Sequence, residues 1–418
     1  ILNINSGSTV SSEGAMIGAE SGSTGSVVVN DAMWTCNSSM VIGVAGSAEL
    51  EIANGGAVST QVGTIVGFLG AEGMVTVNNS TWDAGSLTLG SSGSGTLSIN
   101  NGGHVTSSEG VLGSDSSATG QVTVDGGVWT NDGRLLVGRF GRGTLLIDNG
   151  GEVSNSYGAV GEGMSAYGEV TVRGAGSVWT NTNLCIGGTP DSAGGIGQLT
   201  ISNGGTVNVT DELVLWYTGT LTVNGGTIRF SAPAPVFNNG GIVNYYSGTV
   251  EFDCDLALAS SDVSTFFGWS TNITAMKHLS ITGEAVLDGL VTLSGGTFSA
   301  GSLVNAAMLQ FDSGTLNLTD ADLSISLDGL FGRTLEVTSL QSIAVTNNAT
   351  VDPTGLLLIN GGAFSASTTI NRGEIRMSDA ASGSPGLLAG SAVNNEGLLS
   401  GNGRISANLH NSPTGLVD

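Results

Sequence analysis

The strongest constraint on this chain is a repeat of about 24 residues that fills its first half. Each unit holds an apolar residue followed by Gly, a Gly/Ser-rich stretch, a strand of alternating apolar residues, a turn, and a closing Trp or Val. The apolar residues that open successive units lie 23 to 26 residues apart, at Ile17, Ile42, Val66, Leu89, Leu112, Val137, Val160 and Ile186. Strands this short and this regular favour a repetitive β fold over helices or one large sheet.

The residue that closes each unit alternates between Trp and Val. Trp closes one set of units, at Trp34, Trp82, Trp129 and Trp179. Val closes the other set, at Val58, Val105, Val153 and Val207. The full repeat is therefore a pair of units of about 48 residues. The Val-closed units also carry Asn-Gly-Gly turns, which begin at Asn54, Asn101, Asn149 and Asn203. Asn and Gly tolerate positive φ, so these turns predict sharp corners between short strands.

One unit cannot bury its own apolar face, whereas stacked units can. If each unit forms one coil, strand residues of three successive units fall into two internal columns: Val122, Leu145 and Val170, and Val124, Ile147 and Val172. The predicted fold is therefore all-β, a parallel β-helix (β-solenoid) with about 24 residues per coil. We expect a right-handed coil, because parallel crossovers overwhelmingly take that hand. At a strand spacing of about 4.8 Å, roughly 17 coils predict a rod of about 80 Å.

The regularity of the repeat predicts three regions. Regular paired coils are expected over 1–230, irregular coils or an insertion over 231–286, and a less regular β-helix, truncated at its end, over 287–418. The middle region is set apart by Pro233, Pro235, Phe266, Phe267 and Trp269. The chain starts at Ile1 without a methionine and stops at Asp418 inside the pattern, so we expect export signals and anchors outside this segment.

The composition narrows the class of protein further. The chain has 69 Gly but only 6 Pro, without Gly at every third residue, which excludes collagen. Its net charge of −24 repels phosphate backbones and anionic lipid, so we expect no nucleic-acid partner. No apolar run approaches the roughly 20 residues of a membrane helix, and we expect no membrane insertion of this segment. The widely spaced Cys36, Cys185 and Cys254 are expected to be buried or half-buried free thiols.

The motif order resembles a known repeat. The order G-x-V-x-V, Trp, L-x-I-G, G-x-G-x-L-x-I-x-N-G-G-x-V is similar to the repeat shared by type V autotransporter passenger domains and PEP-CTERM surface proteins. The resemblance covers about Ile1 to Phe230, and the stretch from Leu398 to Leu409 resembles the closing coils of such proteins. It implies a secreted β-helix at a bacterial cell surface and transfers no active-site residue. Neither a translocator barrel nor a sorting tail is visible, which leaves the export route open.

The sequence is compatible with three functions. The leading hypothesis is an extracellular structural protein of the cell surface or matrix, a stiff rod or fibre subunit that associates head to tail with its own copies. The alternative is an adhesin or glycan-binding passenger domain, and the third is a polysaccharide lyase or hydrolase. We expect no enzyme, because His104, His278 and His410 are far apart and no metal-ligand or nucleophile motif is present.

The tryptophans are the candidate site residues. If Trp34, Trp82, Trp129 and Trp179 were exposed on every second coil, their rings would form a ladder that stacks on the sugars of a surface glycan. The favoured interpretation is that each Trp fills the core beside a smaller Val of the next coil. A second candidate is one outward file of mostly hydroxyl residues: Thr76, Ser98, Thr123, Leu146, Thr171, Thr200 and Thr222. Its members suit any solvent-facing strand.

Charged and amide side chains give further predictions. The repeat alignment places Arg139 beside Glu162 and Arg173 beside Asp148, which predicts exposed ion pairs between coils. The corner residues Asn54, Asn79 and Asn101 are expected to form an amide ladder. We expect no cofactor. Calcium remains the alternative, with Asp115, Glu162 and Asp191 in Gly-rich turns as candidate ligands, although no known loop spacing is present.

Overall fold

The computed structural model describes residues 1–231, 236–258, 270–381 and 383–418. The chain is an all-β parallel β-solenoid of about 17 turns with about 23 residues per turn. The one helix of the described residues is a 3₁₀ turn at Ala306–Met308. The predicted fold class is confirmed. Pro233, Pro235, Phe266, Phe267 and Trp269, which set the middle region apart in the sequence, lie outside the described residues.

The chain divides into two compact units, Ile1–Gly248 and Thr249–Asp418. We call them the first unit and the second unit. The division into 1–230, 231–286 and 287–418 stays a prediction, because much of its middle region is not described.

Each coil of the first unit has three faces. Face 1 strands begin coils 1 to 10, in order: Leu2–Asn5, Thr24–Asn30, Ser47–Ala53, Glu72–Asn78, Ser94–Asn100, Thr119–Asp125, Arg142–Asp148, Tyr167–Arg173, Ile196–Ser202 and Gly219–Ser231. Face 2 strands of coils 1 to 6 are Thr9–Ser12, Met33–Cys36, Ala57–Thr60, Thr81–Asp83, His104–Ser107 and Val128–Asn131. Face 3 strands of coils 1 to 6 are Ala15–Ile17, Ser39–Ile42, Gly63–Val66, Ser86–Leu89, Glu109–Leu112 and Arg134–Val137.

In coils 7 to 9, faces 2 and 3 of each coil are made by a single longer strand: Glu152–Val160, Val178–Ile186 and Thr206–Trp216. In coil 10, Gly219–Ser231 supplies faces 1 and 2, and Val236–Asn239 supplies face 3. The strand Ile242–Asp253 contains the boundary between the units. The strands of the second unit are Leu256–Ala257, Ser270–Thr274, Lys277–Val286, Leu290–Val304, Leu309–Leu318, Leu323–Ile325, Thr334–Thr338, Gln341–Val351, Leu356–Asn360, Ala363–Asn371, Glu374–Ser378, Gly386–Asn395, Leu398–Gly401, Gly403–Asn411 and Leu416–Val417.

The predicted internal columns are present. Val122 pairs with Leu145 and Leu145 with Val170, while Val124 pairs with Ile147 and Ile147 with Val172. All six side chains are buried, the most exposed at 2%. Apolar residues at every second strand position therefore meet the same position of the coils above and below. Each coil obtains its core from its neighbours, which is the reason that one coil alone cannot fold.

The corners between faces 1 and 2 take the predicted backbone conformation. Asn54, Asn79 and Asn101 have φ values of 53°, 47° and 51°, in the left-handed region. Their side chains do not bond to one another, however, so the predicted ladder of these three amides is wrong. Instead, Asn54 Nδ2 donates to Asn30 Oδ1 at 2.7 Å and Asn101 Nδ2 donates to Asn78 Oδ1 at 2.9 Å. The acceptor is the residue that ends the face 1 strand of the preceding coil.

Candidate functional site: the tryptophan column

The four tryptophans lie in one column on face 2 and alternate with valines. Strand pairing joins Trp34 to Val58, Val58 to Trp82, Trp82 to Val105, Val105 to Trp129, Trp129 to Val153 and Val153 to Trp179. We call a coil with Trp at this position a Trp-type coil and one with Val a Val-type coil. Coils 2, 4, 6 and 8 are Trp-type, and coils 1, 3, 5, 7 and 9 are Val-type, with Val10 in coil 1 and Val207 in coil 9.

The tryptophan rings face the interior. Trp34, Trp82, Trp129 and Trp179 are 4%, 1%, 0% and 0% exposed. A sugar stacks only on an accessible ring face, so these residues cannot form the glycan-binding ladder, and that candidate site is corrected. The core-filling interpretation is confirmed. The core contains a tryptophan in only every second coil.

A neighbouring column on face 3 explains why tryptophan occurs in only every second coil. Its inward residues, from coil 1 to coil 8, are Ala15, Met40, Thr64, Leu87, Gly110, Leu135, Gly158 and Leu184. In coils 1 to 8, Trp-type coils carry the large Met or Leu at this position and Val-type coils carry Ala, Thr or Gly, whereas coil 9 combines Val207 with Leu213. Over coils 1 to 8, large and small residues therefore alternate in this column as they do in the tryptophan column.

The indoles of Trp129 and Trp179 reach into the space of the preceding Val-type coil. A Cβ atom at Gly110 would lie 2.7 Å from Cζ2 of Trp129 and 3.0 Å from Cδ1 of Leu135. A Cβ atom at Gly158 would meet Asn181 Oδ1 and lie 3.1 Å from Cζ2 of Trp179. Glycine is needed at both positions because any side chain would occupy the volume of the ring. One tryptophan thus fills two layers, and this is the physical basis of the 48-residue repeat.

The same preceding coil satisfies the indole N–H group. Trp34 Nε1 donates to Ser12 Oγ at 3.1 Å, and Trp129 Nε1 donates to Ser107 Oγ at 3.0 Å. Trp179 Nε1 donates to Asn155 Oδ1 at 2.8 Å. The acceptor always stands two residues after the Val-position residue of the preceding coil. Its inward polar side chain meets the requirement that a buried indole nitrogen be paired.

Trp82 is the exception. Among the described residues, neither Trp82 Nε1 nor Thr60 Oγ1, the acceptor expected from the pattern, has a hydrogen-bond partner, although both are buried. Thr64 stands where coils 5 and 7 have glycine, and its hydroxyl donates to the backbone oxygen of Ala84 at 3.2 Å. A β-branched side chain therefore takes the space that the indole uses elsewhere. The interface between coils 3 and 4 is the least satisfied of the four.

The corner amides complete an alternating pattern of bonds between coils. Asn54, Asn101 and Asn149 belong to Val-type coils and donate to residues of the preceding Trp-type coils. In the interior, the indoles of Trp-type coils donate to the preceding Val-type coils. Each of the two kinds of interface thus has its own side-chain bond, so the two are not interchangeable.

Charged side chains pair between adjacent coils on the outside of faces 1 and 3. The predicted pairs are confirmed: Arg139 Nε lies 3.9 Å from Glu162 Oε2, and Arg173 Nε lies 2.7 Å from Asp148 Oδ2. Arg134 adds a third pair, 2.5 Å from Glu109. Burial raises the pKa of the Glu162 carboxyl above its ordinary value, against the opposing attraction of Arg139. Exposed pairs of this kind contribute at most about 1 kcal/mol each.

Tyr157 and Cys185 lie beside these pairs and are buried or nearly so. Burial raises the pKa of the Tyr157 hydroxyl, and it raises the pKa of the Cys185 thiol to about 12. Both groups are therefore neutral at physiological pH and unsuited to nucleophilic chemistry. All three cysteines are free, with Cys36 and Cys185 buried and Cys254 half-buried, as predicted.

In the described ranges, no group of three or more His, Cys, Asp or Glu side chains is placed to hold a metal ion. Asp115, Glu162 and Asp191, the candidate calcium ligands, are not brought together in such a group. His104 lies on face 2 of the first unit, whereas His278 and His410 lie in the second unit. Within the described parts of the chain, no helix is long and apolar enough to cross a membrane.

Two outward files of hydroxyl residues run along the first unit. The predicted file from Thr76 to Thr222 is in register on face 1, interrupted by Leu146. A second file, on face 2 and interrupted by Asp83, was not predicted from the sequence: Ser11, Thr35, Ser59, Thr106, Thr130, Ser154 and Thr180. Each of these residues directly follows the Trp or Val of its coil, a signal that could have found them. The second file lines a shallow depression of about 280 Å³ at Ser59, Asp83 and Thr106.

Comparison with protein-family models and with curated proteins finds no match for this chain.

Proposed function

We propose that this chain is an architectural component of a bacterial cell surface, exported from the cell and without enzymatic activity. Its role is to hold other parts of the surface at a fixed spacing. The observation that carries this proposal is the uninterrupted interior of the first unit, in which every Trp-type coil packs into a Val-type coil. A core fixed coil by coil resists bending, which is the property that a spacer requires.

The chemistry of the outer faces supports the same role. One outward file on face 1 and one on face 2 consist mostly of Ser and Thr, and exposed salt bridges pair charged residues of faces 1 and 3. The net charge of −24 opposes side-by-side association of copies. The resemblance of the repeat to autotransporter passenger domains and PEP-CTERM surface proteins agrees with a surface location.

The proposal is tested by comparing core and surface variants in a producing bacterium. Trp129→Ala damages the interior, whereas Thr106→Gln with Thr130→Gln alters only the outer side of face 2. An architectural role predicts that the core variant disrupts the surface structure seen by electron microscopy, while the surface variant leaves it intact. If the surface variant lost this structure and the core variant kept it, the chain would be an adhesin that binds through its hydroxyl files.

Location and self-association have separate tests. Protease treatment of intact cells should degrade the chain, and a chain protected until lysis would contradict export. Head-to-tail association into fibres predicts that the sedimentation coefficient of the purified chain rises with its concentration. A constant monomer value would restrict the proposal to a monomeric spacer.

A further inference from the structure

We infer that the length of the regular solenoid can change only in steps of two coils, because a coil stacks on a coil of the other type and not on its own. This inference rests on the proposed function in one respect: the length of a spacer is its working property. It gives the spacer a unit of length, one Trp-type and one Val-type coil, which is about 9.6 Å along the stack.

The volumes in the interior show why a single coil cannot be removed. Without coil 5, Trp129 and Leu135 of coil 6 would lie directly on Trp82 and Leu87 of coil 4. The space that Gly110 now provides for the Trp129 ring would be filled by a leucine. The Trp129 ring and the Leu87 side chain would then compete for one space, and overpacking of this kind destabilises a core.

Removing coil 6 instead creates the opposite fault. Val153 and Gly158 of coil 7 would then lie on Val105 and Gly110 of coil 5. No indole would fill the space between the two glycines, and the Ser107 hydroxyl would lose the donor that it has in Trp129. A cavity and the loss of a buried hydrogen bond are both costly.

Removing both coils restores the native kind of contact. With residues 90–137 deleted, Leu89 is joined to Gly138, and coil 7 stacks on coil 4. Val153 then lies on Trp82 and Gly158 on Leu87, as Val105 and Gly110 do in the intact chain. The corner amide of Asn149 meets Asn78, the residue that now accepts from Asn101. The contacts of the tryptophan column, of the neighbouring face 3 column and of the corner amide at the new junction therefore each have a native precedent.

The experiment compares three deletions made in the otherwise complete chain: residues 90–112, residues 113–137 and residues 90–137. Thermal unfolding is followed by circular dichroism and tryptophan fluorescence. We expect the two-coil deletion to unfold within a few degrees of the intact chain, and each one-coil deletion to unfold on the order of 10 °C lower. A two-coil deletion that melts as low as the one-coil deletions would overturn the inference, as would a one-coil deletion of native stability.

If the one-coil variants do not fold, Gly110→Leu in the full chain supplies the comparison. It puts a large residue into a Val-type coil without changing the number of coils. We expect its melting temperature to fall well below that of the intact chain, and an unchanged value would overturn the inference. None of these measurements depends on the cellular role, so a failure of the proposed function would leave their outcome standing.

Discussion

The two units build the same kind of coil with different interiors. In the first unit, tryptophans alternate with valines and extend across two layers. In the second unit, the large buried residues are phenylalanines, and Phe298, Leu316, Ile343, Phe364 and Leu388 form a single column. Buried amides there bond from coil to coil without an indole among them: Asn371 Nδ2 donates to Asn395 Oδ1 at 2.7 Å, and Asn395 Nδ2 donates to Asn411 Oδ1 at 2.7 Å.

The difference explains why the sequence repeat is strict in one unit and loose in the other. A residue that occupies two layers constrains the coil before it, because that coil must provide both a small residue and an acceptor. In the second unit, Phe364 pairs with aliphatic residues of similar size on both sides, so no alternation is imposed. Strictness of sequence thus follows from the reach of a side chain and not from the fold itself.

The largest difference that we expect between the two units is in the rate at which their cysteine thiols react. Burial raises the pKa of Cys185 in the first unit to about 12, while Cys254 in the second unit is half-buried, with a pKa that is also raised. We expect an alkylating reagent at neutral pH to modify Cys254 first. Cys36 and Cys185 should react about 10³-fold more slowly, on opening of the coils. Mass spectrometry of labelled peptides measures this, with urea-unfolded protein as the control. Equal rates for Cys185 and Cys254 in folded protein would contradict the prediction.

The two-layer packing of tryptophan predicts a rescue that is confined to the first unit. Trp129→Ala should lower the free energy of unfolding by about 4 kcal/mol, and Gly110→Leu by about 2 kcal/mol. The double variant should be more stable than Trp129→Ala, because the leucine fills the space left by the ring. Urea unfolding followed by circular dichroism measures all three. The matched control in the second unit is Phe364→Leu, which should cost less than about 1.5 kcal/mol. Strictly additive losses in the double variant would refute the shared space.

The exception at Trp82 predicts a smaller difference between two identical substitutions. Trp129→Phe removes a hydrogen bond to Ser107 Oγ, whereas Trp82→Phe removes an N–H group that makes none among the described residues. We therefore expect Trp129→Phe to cost about 1 kcal/mol more than Trp82→Phe in the same urea experiment. Equal costs would mean that the two indoles are equally satisfied in solution.

The smallest expected effect concerns pH. Because burial raises the pKa of Glu162 in the folded state, the protonated form is favoured by folding. The stability that this carboxyl contributes is therefore present at acidic pH and is lost as the pH rises through its folded pKa. Relative to the intact chain, Glu162→Gln should become more stable between pH 4 and pH 7, by less than about 1 kcal/mol. The exposed Glu152→Gln serves as the control. A relative stability of Glu162→Gln that falls over this range would reverse the assigned sign.

Much of the fold follows from the sequence because the repeat is spatial as well as linear. The spacing of Val124, Ile147 and Val172 is sufficient to place them in one column, and the alternation of Trp and Val is sufficient to predict core filling. The ion pairs of Arg139 and Arg173 follow from the same alignment. Each of these predictions compares equivalent positions in adjacent coils, and the fold preserves that equivalence.

The remaining features depend on the direction in which each side chain points, which the spacing of residues along the sequence does not show. The sequence shows Gly110 and Gly158 as ordinary glycines of a glycine-rich chain, and only the lean of the indole toward the preceding coil gives them a role. The same holds for the corner amides, where Asn54 and Asn101 bond to a residue one position earlier in the coil below. The hydroxyl file on face 2 was missed because its members, from Ser11 to Thr180, follow the conspicuous Trp and Val residues.

The unmatched pair Thr60 and Trp82 has a consequence for how the stack comes apart. Two buried polar groups without partners lower the cost of separating coils 3 and 4 relative to separating coils 5 and 6. We therefore expect coils 3 and 4 to separate transiently more often than coils 5 and 6. Their backbone amides should exchange with solvent sooner than the equivalent amides of coils 5 and 6. A protease should therefore cleave the first unit at coils 3 and 4 sooner than at coils 5 and 6.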